Sequence, residues 1–429
     1  MSIIQESAEP TVVGTPVVSL ATGWGRWIFL ALVVVFMVAV GYRTIYSVAW
    51  NDVERTDYTV YSAAGQAVLD GTNIYDAHNI RGWFYVYPPP FAILMIPFAK
   101  LSLAWGSGLW YVLSLLALAH ATIMAVRLAR EIVPDVAIDQ WTLYEVPLFI
   151  ASPWLVSGLI RCQASGYMIW LMMAAIYLCW RGRTTLGGVS LAAATLLKAF
   201  PVALLAFFAW QRQWRFIAAF FVFIIIGGLL LPATVYGWHK NLDYWSQWGK
   251  IVAGPALSAN HSREDNFLYA QLLNSQKPRN QSLEALFLTV KTPPTLIKPM
   301  LGISALGMLA VMAWLARKAD PKSLIIIVSA FATWNLLIPP ISETHYFGLL
   351  LLPYAVLTAI VLGERDPFSR RLSLGVLILC FVVALWTNLE KQMEFYRLLC
   401  WATLGLWAAL MVLAHRRITL MSIADNPAQ

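Results

Sequence analysis

Three ionisable side chains stand out because each borders or interrupts an apolar segment. Asp57 lies in the polar stretch 51–90, a few residues beyond the first apolar run. Lys198 falls inside an apolar run and precedes the helix breaker Pro201, and His345 precedes another apolar run. A carboxylate can accept a proton, a lysine can hold an anion such as phosphate, and a histidine can do either task near neutral pH. These residue types suit acid–base and phosphate chemistry at a membrane surface.

Each of these residues also has a purely structural interpretation. The pattern predicts a short helix from Asp57 to Leu69, ended by Gly71, and a carboxylate in its first turn would cap N–H groups. Lys198, at a helix end, could extend its ammonium group to the membrane interface. His345 could be an ordinary hydrogen-bonded loop residue. Spacing alone leaves both interpretations open for all three residues.

Composition sets the class of protein. Of the 429 residues, 59% are hydrophobic and only 12% are charged, whereas a soluble domain has about a quarter of its residues charged. Apolar runs of roughly 17 to 25 residues, long enough to cross a bilayer as helices, recur along the chain. We therefore expect an all-α polytopic membrane protein, with residues 1–429 forming a single domain.

The net charge of +8 does not indicate a nucleic-acid partner. The Lys and Arg residues form short clusters between apolar runs, as the orientation rule for membrane proteins expects. This pattern predicts cytoplasmic tails at 1–24 and 416–429, and external loops at 49–90 and 234–295. Shorter polar segments, 161–166 and 339–345, are predicted on the same external side.

Hydropathy predicts twelve membrane spans. Their expected ranges are 27–46, 104–127, 144–160, 165–180, 185–200, 201–212, 214–233, 296–316, 322–340, 343–362, 370–388 and 394–414. The apolar run 91–103 is short and flanked by proline, so it is either a re-entrant hairpin or a thirteenth span.

The long external loop combines aromatic and polar side chains. Tyr236, Trp238, Tyr244, Trp245 and Trp248 could stack on sugars or form an aromatic belt at the membrane surface. The polar part contains Glu264 and the run 280–282, which also matches a glycosylation sequon, a weak three-residue pattern.

Several familiar chemistries have no motif in this sequence. The motifs GxxxxGK[ST], HExxH and GxSxG are missing, so an ATPase, a zinc protease and a serine hydrolase are not predicted. Asp57, Glu264, Asp265 and Glu343 could gather around a divalent cation, but their spacing does not require it. No cofactor is therefore expected to be required.

The order of motifs resembles glycosyltransferase family 87 of the glycosyltransferase-C (GT-C) superfamily. The resemblance rests on Asp57-Tyr58-x-x-Tyr61, Tyr87-Pro88-Pro89, Leu197-Lys198-x-x-Pro201, Asn280-Gln281-Ser282-Leu283 and Ser342-x-x-His345-Tyr346. It implies a GT-C fold of 12 or 13 transmembrane helices with short interfacial helices in the external loops. It also implies an enzyme that uses a polyprenyl-phosphate sugar, most often mannose.

The resemblance also implies roles for individual residues. Asp57 matches the acid that acts as general base toward the acceptor hydroxyl. Lys198 and His345 match positions near the donor phosphate. Tyr61, Tyr87, Glu264, Asn280, Gln281 and Ser282 are the candidate substrate contacts.

The main hypothesis is a plasma-membrane hexosyltransferase with its active site on the extracytoplasmic face. It would move a hexose, by inverting displacement, from a polyprenyl-phosphate donor to a lipid or glycan acceptor. Membrane lipids are its other expected partners. Two alternatives are a lipid-linked saccharide flippase or transporter, and a structural subunit without activity. A flippase would place ionisable residues through the mid-membrane, whereas the unusual residues here gather on one side.

Overall fold

The computed structural model describes residues 24–51, 56–134, 136, 138–253 and 277–425. Throughout this part of the chain the secondary structure is helical, and its β content is limited to two isolated bridges. The helices of the first half are α1 (Trp24–Ala49), α2 (Tyr58–Leu69), α3 (Pro89–Leu94), α4 (Ile96–Ala99), α5 (Leu103–Arg130), α6 (Gln140–Ile160), α7 (Ser165–Trp180), α8 (Thr184–Leu197), α9 (Leu205–Trp210), α10 (Trp214–Ile225) and α11 (Leu231–Tyr236).

The second half continues with α12 (Trp238–Trp248), α13 (Leu283–Thr289), α14 (Pro294–Ala316), α15 (Pro321–Leu337), α16 (Leu351–Gly363), α17 (Pro367–Leu389) and α18 (Leu398–Asp425). Short 3-10 segments precede α3 (Ile74–Asp76), α9 (Phe200–Leu204), α16 (Thr344–Leu350) and α18 (Lys391–Tyr396). A π-helical turn, Ile226–Leu230, joins α10 to α11.

Eight helices in the described residues are long and apolar enough to cross a membrane. They are Trp24–Ala49, Leu103–Arg130, Gln140–Ile160, Trp214–Tyr236, Pro294–Ala316, Thr344–Gly363, Pro367–Leu389 and Leu398–Ile423. Four shorter apolar helices, Ser165–Trp180, Thr184–Leu197, Phe200–Trp210 and Pro321–Leu337, fall at the remaining predicted spans. The prediction of an all-α polytopic membrane protein is confirmed.

The run 91–103 does not form a single helix. It contains α3 and α4, of six and four residues, which are separated at Met95. Pro97 lies at the start of α4, where its missing N–H is tolerated. Both helices pack against α2. Helices this short cannot cross a bilayer, so the run is not a thirteenth span.

The core is centred on α16. All residues from Leu351 to Ile360 are buried, as expected for a helix that is apolar on every face. Helices α5, α6, α15 and α17 surround it. A second cluster of mainly aromatic side chains lies around α2 and includes Tyr58, Tyr61, Tyr85, Phe91 and Trp110.

Aromatic residues from Tyr236 onward support this second cluster. The Tyr236 hydroxyl donates to the Pro89 carbonyl at 3.0 Å, and the Tyr244 hydroxyl donates to the Thr72 carbonyl at 3.0 Å. Thus two of the rings expected to contact sugar or membrane use their hydroxyls to hold the first loop.

The two ends of the helical bundle differ in chemistry. At one end, ion pairs link Arg26 to Asp139 at 3.3 Å, Arg417 to Glu364 at 2.9 Å, and Arg416 to Asp366. The first pair joins the start of α1 to the start of α6. The other two pairs join the segment between α16 and α17 to the C-terminal part of α18. The opposite end brings together the residues predicted to do chemistry.

The first turns of α8 pack closely on α10. An added Cβ at Gly188 would overlap the Phe216 carbonyl oxygen, whereas one at Gly302 of α14 would meet nothing within 4 Å. We therefore predict that Gly188→Ala lowers stability by roughly 1–3 kcal/mol through overpacking. Gly302→Ala is the matched control and should leave the thermal unfolding midpoint of purified protein nearly unchanged. Equal midpoints for both variants would contradict this packing account.

Candidate active site

The carboxylate of Asp57 does not cap the helix that it begins. Asp57 occupies the N-cap position of α2, but its side chain makes no capping hydrogen bond. Its backbone is held instead, because its N–H donates to the Arg161 carbonyl at 3.1 Å and its carbonyl accepts from the Tyr61 N–H at 3.2 Å. The structural interpretation of this carboxylate as a cap is therefore wrong. The backbone contact joins the start of α2 to the turn after α6.

Lys198 lies at the end of α8 and is buried, with 9% of its surface exposed. Its Nζ donates to Gln163 Oε1 at 3.3 Å and to the Tyr346 hydroxyl at 3.1 Å. It also lies 4.3 Å from the Tyr346 ring centroid and 5.5 Å from that of Tyr87. The ammonium group is enclosed by protein, and it does not extend along the surface as the alternative interpretation required.

The hydroxyls of Tyr61 and Tyr87 form a pair, 2.7 Å apart. Each also lies 3.4 Å from Gln163 Oε1. One hydroxyl proton is used within the pair, so the other can be donated to Gln163. The carboxamide oxygen of Gln163 is thus the common acceptor for the tyrosine pair and Lys198.

Burial and two carboxylates set the charge state of Lys198. Removal from water lowers the pKa of its ammonium group to about 8, while the negative charges of Asp57 and Glu343 act in the opposite direction. Burial also raises the pKa of the Tyr61 hydroxyl well above its usual value. At neutral pH the site therefore holds a cationic lysine beside neutral tyrosines, an arrangement able to bind an anion.

His345 lies beside Glu343. Its Nδ1 is 3.4 Å from a Glu343 carboxylate oxygen, and Arg161 approaches the same oxygen at 3.8 Å. The imidazole ring packs edge-on against Tyr346, with ring centroids 4.4 Å apart. The side chain is 1% exposed, and neither ring nitrogen has a hydrogen-bond partner among the described residues. Its role as a donor-phosphate ligand stays a prediction.

The run 280–282 ties two loops together. Asn280 pairs with the 339–343 loop, donating to the Pro340 carbonyl at 2.8 Å and accepting from the Ser342 N–H at 2.9 Å. The Gln281 N–H donates to the Ser342 carbonyl at 2.8 Å, and the Ser282 hydroxyl caps α13. All three side chains are buried. Their predicted contacts with substrate remain predictions, while their contacts in the structure position the Glu343 loop.

Arg397 immediately precedes α18 and holds the segment 277–280, which leads into the run 280–282. It has a left-handed backbone (φ 55°) and is 3% exposed. Its guanidinium donates at 2.7 Å to the carbonyls of Lys277, Pro278 and Asn280. All three contacts are made by Nη1, whose two hydrogens are shared among the three carbonyl oxygens, while Nε donates to the Thr289 hydroxyl at 3.0 Å. These bonds fix the segment 277–280, which pairs with the Glu343 loop.

Glu264, another predicted substrate contact, lies outside the described residues, as does Asp265 of the suggested cation cluster. Within the described ranges, there is no group of three or more His, Cys, Asp or Glu side chains placed to hold a metal ion. The negative charges of Asp57 and Glu343 act instead on Lys198.

Three residues of the site were not among the predicted site residues: Gln163, Tyr346 and Glu343, which was considered only as a possible cation ligand. Gln163 and Glu343 lie in segments predicted to be polar and external, and Tyr346 directly follows His345. Their location in or next to those segments was the sequence signal that could have identified them as site residues. Nothing in the local sequence indicates that Gln163 meets Lys198, 35 residues away.

Fold and site together define a polytopic membrane protein with an acid, a buried cation and paired tyrosines at one end of its helices. The profile of Glycosyltransferase family 87 matches residues 85–340, more than half of the chain. The protein belongs to glycosyltransferase family 87. The predictions of this family and of a glycosyltransferase are confirmed.

Two relatives match most of the chain. Both are polyprenol-phosphate-mannose-dependent alpha-(1-2)-phosphatidylinositol mannoside mannosyltransferases. The protein of Mycolicibacterium smegmatis is 24% identical over 368 residues, covering 79% of this chain and 76% of that protein. The protein of Mycobacterium tuberculosis is 26% identical over 385 residues, covering 82% and 80%.

Among solved structures, ArnT from Cupriavidus metallidurans bound to undecaprenyl phosphate aligns with a TM-score of 0.41 and 12% identity, covering 94% of this chain and 80% of ArnT. Apo ArnT aligns with a TM-score of 0.37 and 13% identity, covering 90% and 76%. These scores are too low to support an inference about the site.

The pKa of Lys198 predicts how anion binding depends on pH. If Lys198 holds the donor phosphate as predicted, its ammonium form binds the anion, and this form is lost as pH rises through about 8. A phosphate monoester is already doubly ionised above about pH 7. The affinity for undecaprenyl phosphate should therefore fall about tenfold between pH 7 and pH 9.

The measurement is ligand binding to purified protein in lipid nanodiscs across this pH range. Lys198→Met should weaken binding at pH 7 by roughly 10- to 100-fold, as expected for a lost charge-assisted hydrogen bond, and should flatten the pH profile. Lys240→Met is the control, because Lys240 is an exposed lysine that donates to the Gly71 carbonyl. An unchanged profile in Lys198→Met would exclude Lys198 as the anion ligand.

Proposed function

We propose that this protein transfers a mannosyl group from a polyprenyl-phosphate donor to a hydroxyl of an extracytoplasmic lipid or glycan acceptor. The observation that carries the proposal is the meeting of an acid and a buried cation at one site. Asp57 is bonded through its backbone to Arg161, and Lys198 is bonded to Gln163, two residues further along the same turn. The family membership and the activities of the two mannosyltransferase relatives support this donor.

The reaction needs two kinds of group. A sugar phosphate is already an activated donor, so a nucleotide site is unnecessary. As the acceptor oxygen attacks the anomeric carbon, Asp57 takes the hydroxyl proton. The bond between that carbon and the phosphate oxygen breaks, and Lys198 stabilises the charge on the departing polyprenyl phosphate. A β-linked donor would give an α-linked product by this single displacement.

The tyrosine pair is well suited to bind sugar hydroxyls. Tyr61 lies one helical turn after Asp57 and packs against Tyr87, with ring centroids 4.9 Å apart in an edge-on arrangement. Because both rings stay neutral at physiological pH, their hydroxyls can exchange hydrogen bonds with sugar hydroxyls without adding charge. We assign these two residues to substrate contact, and the site to the extracytoplasmic face on the basis of the predicted topology.

The direct test of the donor is transfer of radiolabel by purified protein. Polyprenyl phosphates carrying mannose, glucose, galactose or an aminosugar are each supplied with a membrane lipid extract as acceptor. Label from the mannose donor should enter lipid or glycan products faster than label from the other donors. Preferential use of another sugar would overturn the mannose assignment, and label remaining in intact donor, moved across sealed vesicles, would indicate a flippase.

Substitution of the proposed base should separate chemistry from binding. Asp57→Asn is expected to lower kcat by about 10²- to 10⁴-fold, the usual contribution of a positioned general base. Binding of undecaprenyl phosphate should be retained below pH 7, because the phosphate is held by Lys198. Its pH dependence should move downward, since the Asp57 charge that raises the pKa of Lys198 is lost.

The matched control is Asp70→Asn, at the other end of the same helix. Asp70 accepts from Gln66 on the exposed surface of α2, so its substitution should preserve transfer. Rates in Asp57→Asn that match those in Asp70→Asn would exclude Asp57 as the base.

A further inference from the structure

Gln163 occupies a position where three hydrogen-bond donors converge. Its Oε1 is 3.3 Å from Lys198 Nζ and 3.4 Å from each hydroxyl of Tyr61 and Tyr87. These partners come from the end of α8, from α2 and from the segment before α3. One oxygen therefore links the cation of the site to the helix that carries Asp57.

The chemistry of Lys198 fixes the orientation of this amide. An ammonium group has three donors and no acceptor, so the amide atom facing it must be the oxygen. The tyrosine pair can give that oxygen its one remaining proton, which fills both lone pairs. Reversing the amide would place N–H groups against the ammonium and lose these bonds.

The turn that carries Gln163 is also constrained. Cys162, immediately before it, has φ 50°, a left-handed backbone that non-glycine residues rarely adopt. The Cys162 carbonyl accepts from the Trp110 indole at 3.0 Å, and the Gln163 N–H donates to the Gly158 carbonyl at 2.9 Å. This otherwise unfavourable backbone is held by bonds to α5 and α6, and it sets the direction of the Gln163 side chain.

We propose that Gln163 is a positioning residue for phosphate recognition. Its carboxamide oxygen holds the Lys198 ammonium in the position and the charge state that bind the donor. The same oxygen keeps the Tyr61–Tyr87 pair next to that cation. The inference rests on the proposed function, since it assigns a purpose to the Lys198 site of that reaction.

Several other groups act on Lys198, and a test must leave them unchanged. The carboxylates of Asp57 and Glu343 favour its charged form, and Tyr87 and Tyr346 lie against its ammonium group. Its charge acts on His345, which also experiences the charges of Arg161 and Arg279, and Tyr61 is paired with Tyr87. Substituting Gln163 alone alters none of these side chains. A change in the titration of Lys198 would then report on the Gln163 contact.

The test measures the pH midpoint at which purified protein in nanodiscs loses affinity for undecaprenyl phosphate. Gln163→Met fills similar space but removes the oxygen that stabilises the ammonium form, so the midpoint should fall by about half a pH unit or more. Gln163→Glu replaces that oxygen with a carboxylate, so the midpoint should rise although binding weakens overall. Gln66→Met, on the exposed face of α2, is the control and should keep the wild-type midpoint.

Opposite shifts in the two variants support the positioning role, because a merely structural residue would change affinity without moving the midpoint in either direction. Midpoints equal to that of wild type in both variants overturn it. If Gln163→Met does not fold, Gln163→Asn withdraws the oxygen by one methylene and should shift the midpoint downward as well. Absence of undecaprenyl phosphate binding in the wild-type protein would count against the proposed function itself, which separates the two failures.

Discussion

Burial of a single positive charge determines how the site end of this protein is built. An ammonium group removed from water is costly unless hydrogen bonds and opposite charges compensate it. Lys198 receives that compensation from Gln163, Tyr346 and the carboxylates of Asp57 and Glu343. Together with Lys198 these groups lie in four chain segments, so compensating one charge requires the end of α8, the turn after α6, the start of α2 and the segment before α16 to meet.

The compensation is incomplete, and that suits an enzyme of this family. Lys198 keeps its proton at neutral pH but has a pKa lowered to about 8, so an incoming phosphate would stabilise its charged form. The carboxylates that help Lys198 would repel the same phosphate. Arg161 lies 3.8 Å from the Glu343 carboxylate, and its positive charge offsets part of this repulsion. The loop contacts of Asn280 and Arg397 then keep Glu343 at its place beside the cation.

Sequence reasoning succeeded where structure is decided locally. Hydropathy gave the span 165–180 at the same bounds as α7, and the pattern after Asp57 gave α2 to within one residue. It left the nature of 91–103 open, because a proline-interrupted apolar run has no distinctive periodicity. Gln163 could not be recognised, since its partners lie 35 to 102 residues away. Asn280 illustrates a different limit: an amide that would bind a sugar hydroxyl is chemically the same as one that joins two loops.

The distribution of polar groups also helps to decide between an enzyme and a transporter. A transported saccharide needs polar groups along a path through the membrane. Three buried hydroxyls in the described helices of the core bond within their own helices: Thr358 donates to the Tyr354 carbonyl at 2.7 Å, Thr122 to Leu118 at 2.8 Å, and Ser329 to Ile326 at 2.7 Å. Hydroxyls satisfied in this way do not line a polar route. Since Lys198 and Asp57 lie at one end and arginine–carboxylate pairs close the other, the arrangement favours chemistry carried out at a single membrane face.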